Sequence, residues 1–203
     1  MKKIFCFLFI LTLCLTVIGC QESTKKNADD LTNQQNKDEV MSGNEGKDMN
    51  GIDIYDFAFI KMAPKSKGKH SLKEVIKVFF SEGGFSSGNT IAIDVANNIL
   101  YKNPSMDPQG LSTNDGTIKI NDSENVINIL EKHNIQEWKH NYTFENPNSY
   151  EDGYSWMLRL QYEDGTVQEY HGEGTRKNKI IPKNFDDFAI ELNGFVNERL
   201  EGK

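Results

Sequence analysis

The chain has 203 residues, 37% of them hydrophobic and 26% charged, and a formal net charge of −7. That hydrophobic share is low for a chain that is globular throughout, so part of it is expected outside any core. The only apolar run long enough to reach into a bilayer lies at the N-terminus, which excludes a multispanning protein. The acidic balance argues against nucleic acid as a partner, because phosphate neutralisation needs clustered Lys and Arg.

Met1-Lys2-Lys3 forms a short basic start, and Ile4 to Ile18 follows without a charge before Gly19-Cys20. A membrane-spanning helix needs about 20 apolar residues. This shorter run, closed by a small residue, predicts a cleavable signal peptide over residues 1–19. Val17-Ile18-Gly19-Cys20 resembles the lipobox of bacterial lipoproteins. The resemblance implies that Cys20 receives a diacylglyceryl group and becomes the first residue of the mature chain. Its partner is then membrane lipid, through palmitate-type acyl chains, on the extracytoplasmic face of the cell membrane. Cys6 and Cys14 fall in the removed segment and no cysteine follows Cys20, so the exported part is expected to have no disulfide, thiol nucleophile or cysteine metal site.

From Gln21 to about Ile52 the chain has no aromatic residue and is rich in polar and charged side chains. Such a segment buries too little apolar surface to offset its ordering entropy. Residues 20–52 therefore read as a lipidated cysteine and a solvated tether, with a root-mean-square reach of about 30 Å. Asp48-Met49-Asn50-Gly51 looks like the start of a calcium loop, but Phe57 stands where that loop needs a bidentate Glu. Residues 53–203, with 17 basic and 23 acidic residues and a net charge of −6, suit one domain.

Within that domain Ile54 to Met62 predicts a first strand. Ser71-Leu72-Lys73-Glu74 has the form of a capping box, and Leu72, Val75, Ile76 and Phe79 follow at helical spacing as far as Gly83-Gly84. Thr90 to Val95 alternates, and Ala96-Asn97-Asn98 turns the chain into Ile99-Leu100-Tyr101 as a three-residue hairpin loop. Trp156, Leu158, Leu160 and Tyr162 alternate before Glu163-Asp164-Gly165. Of two registers there, a three-residue loop with Gly165 left-handed keeps the apolar face apolar, pairing Leu158 with Tyr170 and Arg159 with Glu169 as an exposed ion pair. Each hairpin leads to an extended piece and a helix. One runs from Ile118-Lys119-Ile120 to an Asp122 cap and the stripe Val126, Ile127, Leu130. The other runs from Lys179-Ile180-Ile181 to an Asn184 cap and the stripe Phe185, Phe188, Leu192, Phe195. The expected class is α+β, an antiparallel sheet with helices on one face, in two hairpin-strand-helix units of similar order.

Gly153-Tyr154-Ser155-Trp156, Tyr162-Glu163-Asp164-Gly165-Thr166 and Ile181-Pro182-Lys183-Asn184-Phe185 together resemble the C-terminal part of uncharacterised lipoproteins of low-GC Gram-positive bacteria. The resemblance covers about a fifth of the chain. It implies a fold and a location and supplies no catalytic residue.

Motifs that carry chemistry are few. Gly84-Phe85-Ser86-Ser87-Gly88 fits the pattern of a nucleophile elbow, but an elbow needs a strand before it and a helix after it. Here the predicted order is reversed, so the stretch reads as a linker. His70, His133, His140 and His171 show no metal-ligand spacing and read as surface histidines; His171 and Glu173 share a strand face without a third ligand. Trp138, Tyr142, Phe144, Tyr150, Tyr154 and Trp156 crowd the connection between the units, among amides and hydroxyls suited to a peptide or glycan. Trp156 reads as core, and Trp138 and Tyr142 as the candidate ligand-binding surface.

These signs predict a non-enzymatic, membrane-anchored module that binds a protein, peptide or glycan of the envelope. No catalytic residue, cofactor or metal is expected. The alternatives are an inhibitor or immunity-type lipoprotein blocking a basic partner, and an envelope hydrolase. Cys20→Ser is expected to abolish acylation and lipoprotein-type cleavage. Phase partitioning in detergent checks this: a cleaved Cys20→Ser protein still found in the detergent phase would overturn the lipobox reading.

Overall fold

Val75-Ile76-Lys77-Val78-Phe79-Phe80 is the segment around which the sheet is built. In the computed structural model, which describes residues 51–84, 87–107, 110–112, 115–143, 153–174 and 180–202, it opens strand β1 (Val75–Gly84). The expected signal peptide and lipobox, and the expected tether as far as residue 50, lie outside the described residues, as do Phe85, Ser86, Phe144 and Tyr150. The described residues belong to a compact unit spanning Gly43–Lys203.

The helix expected after Ser71 is a strand. Ser71 Oγ accepts from Lys73 N and caps one 3-10 turn, Leu72–Glu74, and the chain then extends. β-branched and aromatic residues crowd a helical turn but suit a pleated surface. β1 is buried on both sides, so its apolar residues run on without the alternation that marks a half-buried strand. The expected strand Ile54–Met62 is also absent. Asp53 and Asp56 each accept a backbone N–H two residues on, folding the segment into turns and a 3-10 turn at Phe57–Phe59. Phe57 and Ile60, three residues apart, are buried by this fold.

β1 pairs antiparallel with β2 (Ser87–Asp94) and with β7 (Tyr154–Tyr162), so Phe80 lies opposite both Ile91 and Leu158. β3 (Ile99–Tyr101) follows β2, and β4 (Ser105–Met106) and β5 (Leu111–Ser112) form a separate two-stranded ladder. β6 (Thr117–Lys119) pairs with β3, and β8 (Val167–Gly174) pairs with β7. The six-stranded sheet runs β6-β3-β2-β1-β7-β8, antiparallel throughout. The Gly84–Gly88 stretch read as a linker joins two strands, with Gly84 opposite Ser87.

Helices α1 (Glu124–Lys132) and α2 (Phe185–Glu201) pack on one face, as an α+β fold requires. Val126, Leu130, Phe188 and Leu192 meet Val78, Phe80, Leu158 and Leu160 there. Each large apolar side chain fully buried in that layer contributes about 1.5–3 kcal/mol. The helices are joined by Lys132 and His133 Nε2, both donating to Glu191 at 2.7 Å, and by Arg199 on Asp122. The Lys132 ammonium and the His133 imidazole hold the Glu191 carboxyl below the usual carboxylate range, and the Arg199 guanidinium does the same for Asp122. Asp122 therefore anchors α2 and does not cap α1, whose N-cap is Ser123. Asn184 occupies the N-cap of α2, but its side chain accepts from Trp138 Nε1 and donates to the His133 carbonyl. Ile180 is buried, and its carbonyl accepts from Trp156 Nε1 at 2.9 Å. A side chain at Gly172 would collide with both groups.

The opposite face is covered by the segment from Ile54 to Ala63 and by Leu111 of β5, over Phe79, Ala92 and Val167. Beneath this cover lie Lys77 and Asp94, with Nζ and Oδ2 4.0 Å apart, and Gln161, whose amide donates to the Ile54 carbonyl. Burial lowers the Lys77 ammonium, against the pull of Asp94. Arg159 Nε donates to Glu169 at 2.7 Å on the same face, and Arg159 is only 6% exposed. The pair is in the register expected from sequence, but it is not exposed.

The hairpins flank β1 symmetrically in the sheet order yet close differently. Glu163-Asp164-Gly165 is a three-residue loop, with Gly165 at φ 80° and Tyr162 N donating to Thr166 O. In the first hairpin Asp94 pairs with Ile99, leaving a four-residue loop over 95–98 with Asn98 at φ 56°. A Cβ at Gly165 would come within 2.7 Å of Ile54 Cδ1, and the Asn98 amide lies 2.6 Å from Ser123 Oγ. The two left-handed positions are thus not interchangeable. Gly165→Asn and Asn98→Gly should each cost about 1 kcal/mol, with Gly165→Val costing more; denaturant midpoints check this, and a neutral Gly165→Asn would contradict the Ile54 contact.

A second expectation concerns the buried ion pair. Glu169→Ala leaves Arg159 buried and uncompensated and should cost about 3 kcal/mol, whereas an exposed pair would cost a few tenths. The double change Arg159→Met with Glu169→Leu should recover most of that loss in the same assay.

Candidate functional site

β8 is an outer strand, so its free edge needs partners. Two segments supply them, at opposite ends. Val167 N donates to the Pro64 carbonyl at 2.8 Å and Ser66 N to the Val167 carbonyl at 2.9 Å. His171 N donates to the His140 carbonyl at 3.0 Å and Tyr142 N to the His171 carbonyl at 2.9 Å. Between these parallel bridges the edge is bare of added strand around Gln168–Tyr170. Strand alternation turns the Glu169 N–H the same way as those of Val167 and His171, into that gap. The Glu169 carbonyl, facing the same side, accepts from His140 Nδ1 at 3.1 Å.

Beside this edge lies a cleft of about 370 Å³. Lys67, Gly68, Lys69 and His70 form one wall; Gln136, Glu137 and His140 form the other; Gln168 rises from the strand between them. Both histidines lie flat on tyrosines of the sheet. The His70 ring stacks on Tyr162 with centroids 4.4 Å apart, and the His140 ring stacks on Tyr170 at 5.0 Å. Gln168 Oε1 accepts from the Tyr162 hydroxyl at 2.5 Å, which leaves its amide N–H groups for the cleft. Gln136 Nε2 donates to the His70 carbonyl at 2.6 Å and ties the two walls together. His70 Nδ1 also donates to Glu74 at 3.3 Å, and Asp164 lies 3.7 Å from its Nε2.

Electrostatics separates this cleft from the rest of the domain. Residues 61–73 contain Lys61, Lys65, Lys67, Lys69 and Lys73 and no acid, although residues 53–203 as a whole carry −6. All five lysines are exposed. Behind the histidines, burial raises the Tyr162 phenol well above its ordinary value, and burial pushes Tyr170 up to about 12. Both remain protonated donors at neutral pH. The Tyr170 hydroxyl is buried and without a hydrogen-bond partner among the described residues.

The residues singled out from sequence are placed elsewhere. Trp138 is 7% exposed and packs edge-on against Trp156 and Phe188, at 5.8 and 5.3 Å between ring centroids. With Nε1 on Asn184, it belongs to the core and not to a surface. Tyr142 is half-buried against the same core, 5.7 Å from Trp156, and its hydroxyl accepts from Lys139 N. Trp156 is core, as expected. His133, read as a surface residue, is buried where α1 ends. His171 and Glu173 gain no third ligand, and no cluster of three or more metal-ligating side chains occurs among the described residues.

The lysines of 61–73 and Gln168 were not singled out from sequence, and His70 was read there only as a surface histidine. An acid-free run of five lysines in an acidic domain is the signal that could have found the first wall. The cleft is lined by two lysines, the side-chain amides of Gln136 and Gln168 and two imidazoles around a concave space, an arrangement suited to holding a ligand. No family model, curated protein or solved structure matches this chain.

Proposed function

We infer that the chain is a lipid-anchored binding module of the bacterial cell envelope. In this reading the domain is displayed on the extracytoplasmic face through acylated Cys20 and holds its ligand in the cleft beside β8. The observation that carries the reading is the contrast between that cleft and the other charged groups of the fold. Lys77, Arg159, Lys132 and Arg199 are each matched to a carboxylate within the domain. The lysines beside the cleft are exposed on a wall that has no acid between residues 61 and 73. The lipobox and the polar tether support the location.

Gly68 makes the reading testable without disturbing the fold. A side chain there meets no atom within 4 Å and would project into open space. Gly68→Trp should fill the cleft, leave the melting temperature within about 2 °C of the parent, and weaken binding to isolated envelope fractions at least about tenfold. Undiminished binding by a folded Gly68→Trp protein would show that the cleft is not the site.

A further inference from the structure

We propose that the cleft beside β8 recognises a phosphate group, held by the Gln168 side-chain amide and neutralised by Lys67 and Lys69. This deepens the reading of the cleft as a binding site and rests on it. Three observations converge on the same small volume. The first is charge. Two lysines and one carboxylate, Glu137, line the cleft, a local excess of positive charge on a domain that is otherwise acidic. Lysine is a point charge on a flexible stem, fitted to a phosphate that presents charge in several directions and less to the planar fork geometry that favours Arg.

The second observation is the occupied edge beside the cleft. The outward N–H groups of Val167 and His171 are already taken by the Pro64 and His140 carbonyls, so a ligand in the cleft is held by the side chains that line it. The third is orientation. Tyr162 fixes Gln168 Oε1, so the Gln168 amide offers its N–H groups. His140 donates through Nδ1 to the Glu169 carbonyl, which directs Nε2 away from the strand. Glu74 and Asp164 lie against the two ring nitrogens of His70, so an anion is favoured at Lys67 and Lys69 and not at that imidazole.

The phosphate could belong to a soluble ester or polymer, or to a lipid headgroup, and one experiment separates these sources. The full chain in neutral detergent is titrated with inorganic phosphate while backbone amide resonances are followed. Co-sedimentation with phosphatidylglycerol and phosphatidylcholine vesicles forms the second arm. Saturable shifts are expected at the Gln168 side-chain amide and at the backbone amides of Lys67 to Lys69. The double change Lys67→Glu with Lys69→Glu should weaken the response at least about tenfold, while Lys67→Arg with Lys69→Arg should keep most of it. Lys119→Glu with Lys183→Glu alters the net charge equally and should have no effect. A lysine-dependent preference for phosphatidylglycerol, with free phosphate silent, would support phosphate recognition and assign it to headgroups.

Two results would overturn the proposal. One is the absence of both the phosphate shifts and the lysine-dependent vesicle preference. The other is an equal loss in the Lys119 and Lys183 control, which would mean diffuse charge attraction. If those results come with a Gly68→Trp protein that has lost envelope binding, the cleft remains the site and only the ligand chemistry is wrong.

Discussion

Burial of both faces of β1 is the constraint from which the rest of the fold follows. Val78 and Phe80 point to the helices and Phe79 to the opposite side, and none of the three is more than 1% exposed. A strand apolar on both faces needs two covers. α1 and α2 provide one, and the turns from Ile54 to Ala63, with Leu111, provide the other. The second cover has a cost, because the same strand face also carries Lys77, and β7 carries Arg159 and Gln161. Desolvating a charge is costly unless it is paired, and the sheet register places Asp94 opposite Lys77 and Glu169 opposite Arg159. The polar layer under the N-terminal segment is thus set by strand pairing and favours one register, since a shift of one residue would break both pairs and turn every apolar side chain over.

Local chemistry was legible in the sequence wherever the structure depends on local chemistry. The alternation of Trp156 to Tyr162 and the glycine at 165 were enough to place Leu158 against Tyr170, and the apolar stripes marked both helices. The helix expected at Leu72–Gly84 failed for a nonlocal reason. Alternation disappears when a strand is covered twice, and the second cover comes from a segment read as a strand itself. Arg159 and Glu169 looked exposed because their face reads as polar; only the chain passing over that face makes it interior. Trp138 looked exposed because it sits in a polar stretch, yet Asn184, 46 residues on, receives its N–H. The cleft joins residues 67–70, 136–140 and 168, which no window of sequence brings together.

The proposed role places two opposite electrostatic demands on one small domain. In that role the net negative charge would hold the domain off other acidic surfaces, while the local excess of lysine would draw an anion to one place. The two are compatible because screening at physiological salt confines each charge to about 8 Å. Segregating five lysines into residues 61–73 achieves this without changing the sign of the whole. Weak, salt-sensitive attachment is then the natural regime, suited to a protein whose position is set by its proposed anchor.

The broken cover of β8 also bears on colloidal behaviour. Proteins tethered to one membrane meet at high two-dimensional concentration, where an open strand edge invites sheet-to-sheet zippering and aggregation. The described part of the edge is interrupted at Val167 and at His171, leaving a window of about three residues, and the far edge, β6, is itself only three residues long. A second strand needs a longer run of consecutive backbone pairing to be stable. Among the described residues neither of these two strands provides it, so a neighbouring copy finds no long ladder to extend along β6 or β8.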